Sequence, residues 1–180
     1  DLLNIIIVNP NDITASMDIT PLGYLKNVTT LWLANNYITD ISPLENCKLL
    51  ATLDLSGNSI VATAKQDGLA PISKLQSLVC LKLDNNADIQ TVKSLKRLIY
   101  LDTLSLSNNN IGNVSGIIDS MKCLTYLDLD NNSLTTFDAS CFPLLKRLYL
   151  ENNGVRTDDG SLVDDQRLSQ VQNLSTAVNL

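Results

Sequence analysis

Two carboxylates, Asp130 and Glu151, close two similar stretches, Tyr126-Leu-Asp-Leu-Asp130 and Arg147-Leu-Tyr-Leu-Glu151. If those stretches are neighbouring parallel strands, the side chains stand about 5 Å apart. At that separation one carboxyl can attack a sugar ring while the other protonates the leaving oxygen. Asp128 adds a third oxygen ligand to the same face, so a hard cation is a second reading. Another acidic group, Asp158, Asp159, Asp164 and Asp165, suggests a calcium loop, but the alternation and terminal glutamate of an EF-hand loop are absent, and a solvated acidic loop accounts for it. The remaining chemistry is thin. The chain has no histidine, and Cys47, Cys80, Cys123 and Cys141 fall at no metal-ligand spacing, which gives no basis for zinc. No nucleophile has a base placed beside it, and a flat strand face does not exclude water. The chain therefore reads as a non-enzyme, with no catalytic residue, no cofactor and no metal.

The elements that must carry these side chains form a repeat. Val28-Thr-Thr-Leu31-Trp-Leu33-Ala-Asn-Asn36-Tyr-Ile38 returns as Leu50-Ala-Thr-Leu53-Asp-Leu55-Ser-Gly-Asn58-Ser-Ile60, and four more copies follow, with Asn86, Asn109, Asn132 and Asn153 at the asparagine position. The second leucines stand at 31, 53, 81, 104, 127 and 148, in steps of 22, 28, 23, 23 and 21. The alternation in LxL makes a short strand with its leucines on one face and its variable residues on the other. Each asparagine sits where the chain leaves the strand, where its amide can pair turn backbone otherwise buried without partners. Apolar residues then recur every third position, as in Ile38, Ile41, Leu44, Cys47 and Leu50, a period that suits 3₁₀ turns better than α-helix. The longer steps leave room for a genuine helical turn.

This LxxLxLxxNxL pattern resembles the short class of leucine-rich repeat, about 22 residues long, found in bacterial internalins and in a nuclear phosphatase-regulating subunit. Asn36-Tyr-Ile-Thr-Asp-Ile-Ser-Pro-Leu44 is close to the internalin repeat in particular. The resemblance implies an α/β leucine-rich-repeat solenoid: a right-handed coil with a parallel β-sheet on the concave side and short 3₁₀ or helical turns on the convex side. Residues 1–180 are expected to form one domain of about seven repeats. Two insertions interrupt it, Val61 to Pro71 and Gly154 to Gln166. The register reaches both ends, through Leu2, Ile5 and Ile7 with Pro10 in the asparagine position, and through Val171, Leu174, Ala177 and Leu180. Without polar capping units such ends are adhesive, so the chain reads as a segment of a longer array, prone to end-to-end self-association.

Strand alternation sends one column outward, Ile6, Trp32, Asp54, Lys82, Ser105, Asp128 and Tyr149, beside Val8, Ala34, Ser56, Asp84, Ser107, Asp130 and Glu151, with Asn4, Thr30, Thr52, Cys80, Thr103, Tyr126 and Arg147 on the flank. Trp32, Asp54, Lys82, Asp84, Tyr126, Asp128, Asp130, Arg147, Tyr149 and Glu151 form the candidate partner-binding set, because aromatics and arginine ringed by charge are enriched where interfaces hold most of their energy. The bland alternatives are single exposed apolars and carboxylates that merely keep the sheet soluble. Thirteen basic against nineteen acidic residues and a net charge of −6 disfavour nucleic acid and anionic membrane. The first expectation is a protein-interaction scaffold that holds another protein on the concave face. An internalin-like surface adhesin for a host protein or glycan is the rival, and a structural spacer the third reading. Unpaired cysteines lean toward the cytoplasm, and the internalin resemblance toward a secreted or surface location.

Overall fold

The structure is a computed structural model and describes residues 3–7, 16–86, 88–117 and 120–155. Leu2, Val8, Pro10, the acidic run from Asp158 to Asp165 and the segment from Val171 to Leu180 lie outside the described residues. Seven strands form one parallel sheet: β1 (Leu3–Ile6), β2 (Val28–Trp32), β3 (Thr52–Asp54), β5 (Cys80–Lys82), β7 (Thr103–Ser105), β8 (Tyr126–Asp128) and β9 (Arg147–Tyr149), in that spatial order. A separate pair, β4 (Val61–Ala62) and β6 (Asp88–Ile89), forms a second small parallel sheet.

The register follows the leucines. Leu31 pairs with Leu53, Leu53 with Leu81, Leu81 with Leu104, Leu104 with Leu127 and Leu127 with Leu148. All six are buried, because a side-chain period of two turns every second residue of each strand into the same core. On the opposite wall the period-three residues pack as 3₁₀ turns, Thr20–Tyr24, Ser42–Asn46, Ala70–Lys74, Lys93–Arg97 and Ala139–Cys141. In the first four, the N–H closing the turn bonds three residues back, as Cys47 N–H does to Leu44 O at 2.9 Å. Pro21, Pro43 and Pro71 preset φ at the start of three of them. Ile41, Leu44, Cys47 and Leu50, spaced by three, are all buried.

The expected helical turn in the 28-residue step is replaced by something else. Val61 and Ala62 form β4, and the chain folds back so that Gly68 N–H reaches Val61 O at 3.0 Å and Ala62 bridges Asp67. A Cβ at Gly68 would stand 2.3 Å from that carbonyl, so the fold-back needs glycine. A β-branched start with no large apolar residue three or four places on, where Ala64 and Lys65 stand, favours the strand.

The asparagines form a continuous ladder. Asn58 Nδ2 donates to Leu55 O of its own strand at 2.8 Å and to Leu33 O of the preceding repeat at 2.9 Å, while its Oδ1 accepts Ile38 N–H at 2.9 Å. Asn132 repeats this with Leu129 O, Leu106 O and Ile111 N–H at 3.0, 2.9 and 3.0 Å, and Asn153 with Leu150 O, Leu129 O and Leu134 N–H. Each amide closes its own turn and clips it to the previous coil.

Candidate functional site

The paired registers place the outward residues as expected, one column running Ile6, Trp32, Asp54, Lys82, Ser105, Asp128, Tyr149 across the sheet. Its two ends differ. Trp32 lies beside Ile6, which is 68% exposed, and is itself 37% exposed. Four and five strand spacings away, roughly 19 and 24 Å, Tyr126 and Tyr149 face each other with ring centroids 5.4 Å apart and planes tilted by 45°. Lys82 is exposed midway between them, and Arg147 is exposed on the strand beside Tyr126. The ten candidate residues therefore form a long stripe, with Asp84, Tyr126, Asp128, Asp130, Arg147, Tyr149 and Glu151 toward one end.

Most of the carboxylates already have backbone partners. Asp54 Oδ1 accepts Ser56 N–H at 3.0 Å, and Asp128 Oδ1 accepts Asp130 N–H at 3.1 Å, each two residues along its own chain. Asp84 Oδ1 and Asp130 Oδ1 reach across to the next strand, to Ser107 N–H at 2.7 Å and Glu151 N–H at 2.6 Å. Those N–H groups lie where the regular ladder ends, and a carboxylate substitutes for the missing carbonyl. Asp84 is the most heavily engaged: Ser105 Oγ and Ser107 Oγ also donate to its Oδ1, at 2.7 and 2.9 Å, and Ser56 Oγ donates to Oδ2 at 3.3 Å. Ser105 is thus corrected from an outward surface residue to a buried one, drawn down by that bond.

Electrostatic strain concentrates at the tyrosine end. Burial, then the charges of Asp130 and Asp84, push Asp128 up to about 6, against the pull of the Asp130 N–H bond. Burial also raises Asp130, with Glu151 adding to it and its N–H opposing. Tyr126 is pushed up to about 12 by burial and then by Asp128. At neutral pH this end therefore holds several partly desolvated negative charges beside two aromatic rings.

The cation reading does not fit this geometry. Among the described residues no three His, Cys, Asp or Glu side chains are placed to hold a metal ion, and Asp128 and Asp130 each have an oxygen committed to a backbone N–H. All four cysteines are free thiols, the Cys123 and Cys141 pair included. Cys47 is buried among the turn residues, and Cys80 lies half-buried on the concave flank. No helix among the described residues is long and apolar enough to cross a membrane.

One recurrent position escaped the sequence reading. The residue before each ladder asparagine has a left-handed backbone: Asn35, Asn85, Asn108, Asn131 and Asn152 at φ between 53° and 59°, and Gly57 at 66°. Only glycine and asparagine adopt this region readily, and each of the six copies carries one of them there. That column turns the chain off the sheet just past the carboxylates and so sets where they stand.

The family described as Leucine Rich repeats (2 copies) matches residues 26–70 and 101–141. Receptor like protein 23 of Arabidopsis thaliana is 33% identical over 152 residues, covering 81% of this chain and 16% of that protein. Among solved structures, an internalin (inlF) from Listeria monocytogenes superposes with a TM-score of 0.71 at 26% identity, covering 79% of this chain and 40% of that one. A second Listeria monocytogenes internalin, inlC2, gives 0.68 at 31% identity, covering 77% and 58%. The chain thus spans less than two thirds of the length of each.

Proposed function

Because the chain belongs to the leucine-rich-repeat family, in its short-repeat class, we propose that it is a non-enzymatic scaffold that holds a partner protein on the concave face, between Trp32 and Glu151. Leucine-rich-repeat domains generally mediate protein–protein interaction, and the fold alone does not say with what. The carrying observation is the group at the tyrosine end. Tyr126 and Tyr149 stand together while Asp128 is held, partly desolvated, among Asp84 and Asp130, at a cost to folding that an oppositely charged partner would remove. Asp54, Asp84, Asp128, Asp130 and Glu151 outnumber Lys82 and Arg147 in the candidate set, which favours a partner with basic side chains. The likeness to two Listeria internalins favours a second reading, a surface adhesin, whose concave face would engage a host protein or glycan.

The test is capture from extracts of the source cells with immobilised protein, comparing wild type with Trp32→Ala, Tyr149→Ala and Asp128→Lys. Hot-spot truncations typically cost about 2 kcal/mol or more of binding. Each variant is expected to retain a specifically captured protein poorly while unfolding at nearly the wild-type temperature. Equal capture by all four proteins, or none above background by the wild type, would leave the spacer reading in its place.

A further inference from the structure

The convex side carries a groove of about 320 Å³ between the turns Ala70–Lys74 and Lys93–Arg97, lined by Ser73, Lys74, Lys93, Ser94, Lys96 and Arg97. Four of the chain's thirteen basic residues meet there, in a molecule with nineteen acidic ones. The repeat brings them together: Ile72 and Leu95 occupy equivalent core positions, which stacks Lys74 on Arg97 and Ser73 on Lys96 in adjacent coils. None of the four cationic head groups makes an ion pair or hydrogen bond among the described residues. The adjoining carboxylate, Asp67, is engaged by Ser94 Oγ, and Ser73 Oγ is turned onto Ala70 O at 2.6 Å. The groove therefore gathers four positive charges against the one adjoining carboxylate of Asp67, with its hydroxyls already anchored. Like charges gathered in excess of their counter-charges destabilise the surface that holds them, and a multiply charged anion relieves this through charge-assisted bonds.

From this we propose that the groove between residues 70–74 and 93–97 binds a compact, multiply charged oxyanion of phosphate or sulfate type, independently of the concave face. Arg97 supplies the planar fork that suits such oxygens, and the three lysines supply point charges. One compact cluster, rather than a stripe along the solenoid, fits a small polyanionic group better than a nucleic-acid backbone.

Titration calorimetry with inorganic pyrophosphate, and in parallel with a sulfated disaccharide, tests this on the full chain. At least one probe should bind wild type with one-to-one stoichiometry, and the arm that binds tells phosphate from sulfate. Lys96→Gln with Arg97→Gln, and the charge-reversed pair Lys96→Glu with Arg97→Glu, should each weaken binding by about tenfold or more. Lys26→Glu with Lys146→Glu, which makes the same change in net charge away from the groove, should leave affinity within about twofold, since exposed charges beyond the Debye length are screened. Absence of wild-type binding at millimolar probe, or an equal loss in the groove and control pairs, would overturn the proposal.

Discussion

Asp128→Asn should stabilise the protein at neutral pH while weakening its grip on a partner. In the folded state burial and the neighbouring carboxylates lift the Asp128 carboxyl from 3.8 to about 6. A folded-state pKa above the unfolded one means that the native state takes up the proton first. Between pH 6 and 4 the native protein holds a proton that the unfolded chain does not, so the Asp128 penalty is fully present above pH 6 and disappears as pH falls through that window. A tenfold change in proton affinity corresponds to about 1.4 kcal/mol, and a hundredfold change to about 3 kcal/mol. Asp128 is only half-buried, however, and screening by solvent reduces this to about 1 kcal/mol. Asparagine keeps an oxygen for the Asp130 N–H and discards the charge. Urea midpoints of the two proteins, measured from pH 4 to pH 8 at constant ionic strength, should diverge above pH 6 in favour of the variant and converge near pH 4. A variant no more stable than wild type at pH 8, or one whose advantage is the same at both ends, would refute the desolvation argument.

Asn109→Leu removes donors from Leu83 O at 3.0 Å and Leu106 O at 2.9 Å, so it should cost about 1 to 3 kcal/mol in chemical unfolding. Ser105→Ala withdraws a buried donor from Asp84 and should cost about 1 kcal/mol of stability, read as a lower urea midpoint with unchanged slope, whereas a truly exposed serine would give no change. Leu127→Asp places a charge among the sheet leucines and should abolish the cooperative thermal transition, while Trp32→Ala should shift stability by about 0.5 kcal/mol or less. Similar melting of those two variants would contradict the division into core and concave columns.

The array was legible because its physics is periodic. Leu31, Leu53, Leu81, Leu104, Leu127 and Leu148 recur at intervals that leave only a parallel ladder, and their outward neighbours follow by alternation. The period-three turns were readable for the same reason. Where the period breaks, legibility ends: the fold-back at Gly68 and the pairing of Val61 with Asp88 depend on a close approach that no local pattern announces. At the site, direction was readable but engagement was not. Ser105 points outward in the alternation, yet it is buried because Asp84, one strand away, reaches for its hydroxyl. Asp130 and Glu151 read as two facing carboxylates, yet one Asp130 oxygen is held by the Glu151 backbone N–H, a bond that no side-chain pattern announces. The left-handed column from Asn35 to Asn152 did carry a signal, an asparagine or glycine before every ladder asparagine, and it lay hidden beside the stronger ladder itself.

Hydroxyl-radical footprinting of the chain, free and bound to its captured partner, tests concave binding most directly, because the aromatic side chains sample both faces. Trp32, Tyr126 and Tyr149 belong to the sheet face, whereas Tyr24, 79% exposed, and Tyr100, 61% exposed, lie on the turn side. Concave binding predicts that oxidation of Trp32, Tyr126 and Tyr149 falls in the complex while Tyr24 and Tyr100 react as before. Protection of Tyr24 or Tyr100 with no change at the three sheet residues would contradict it.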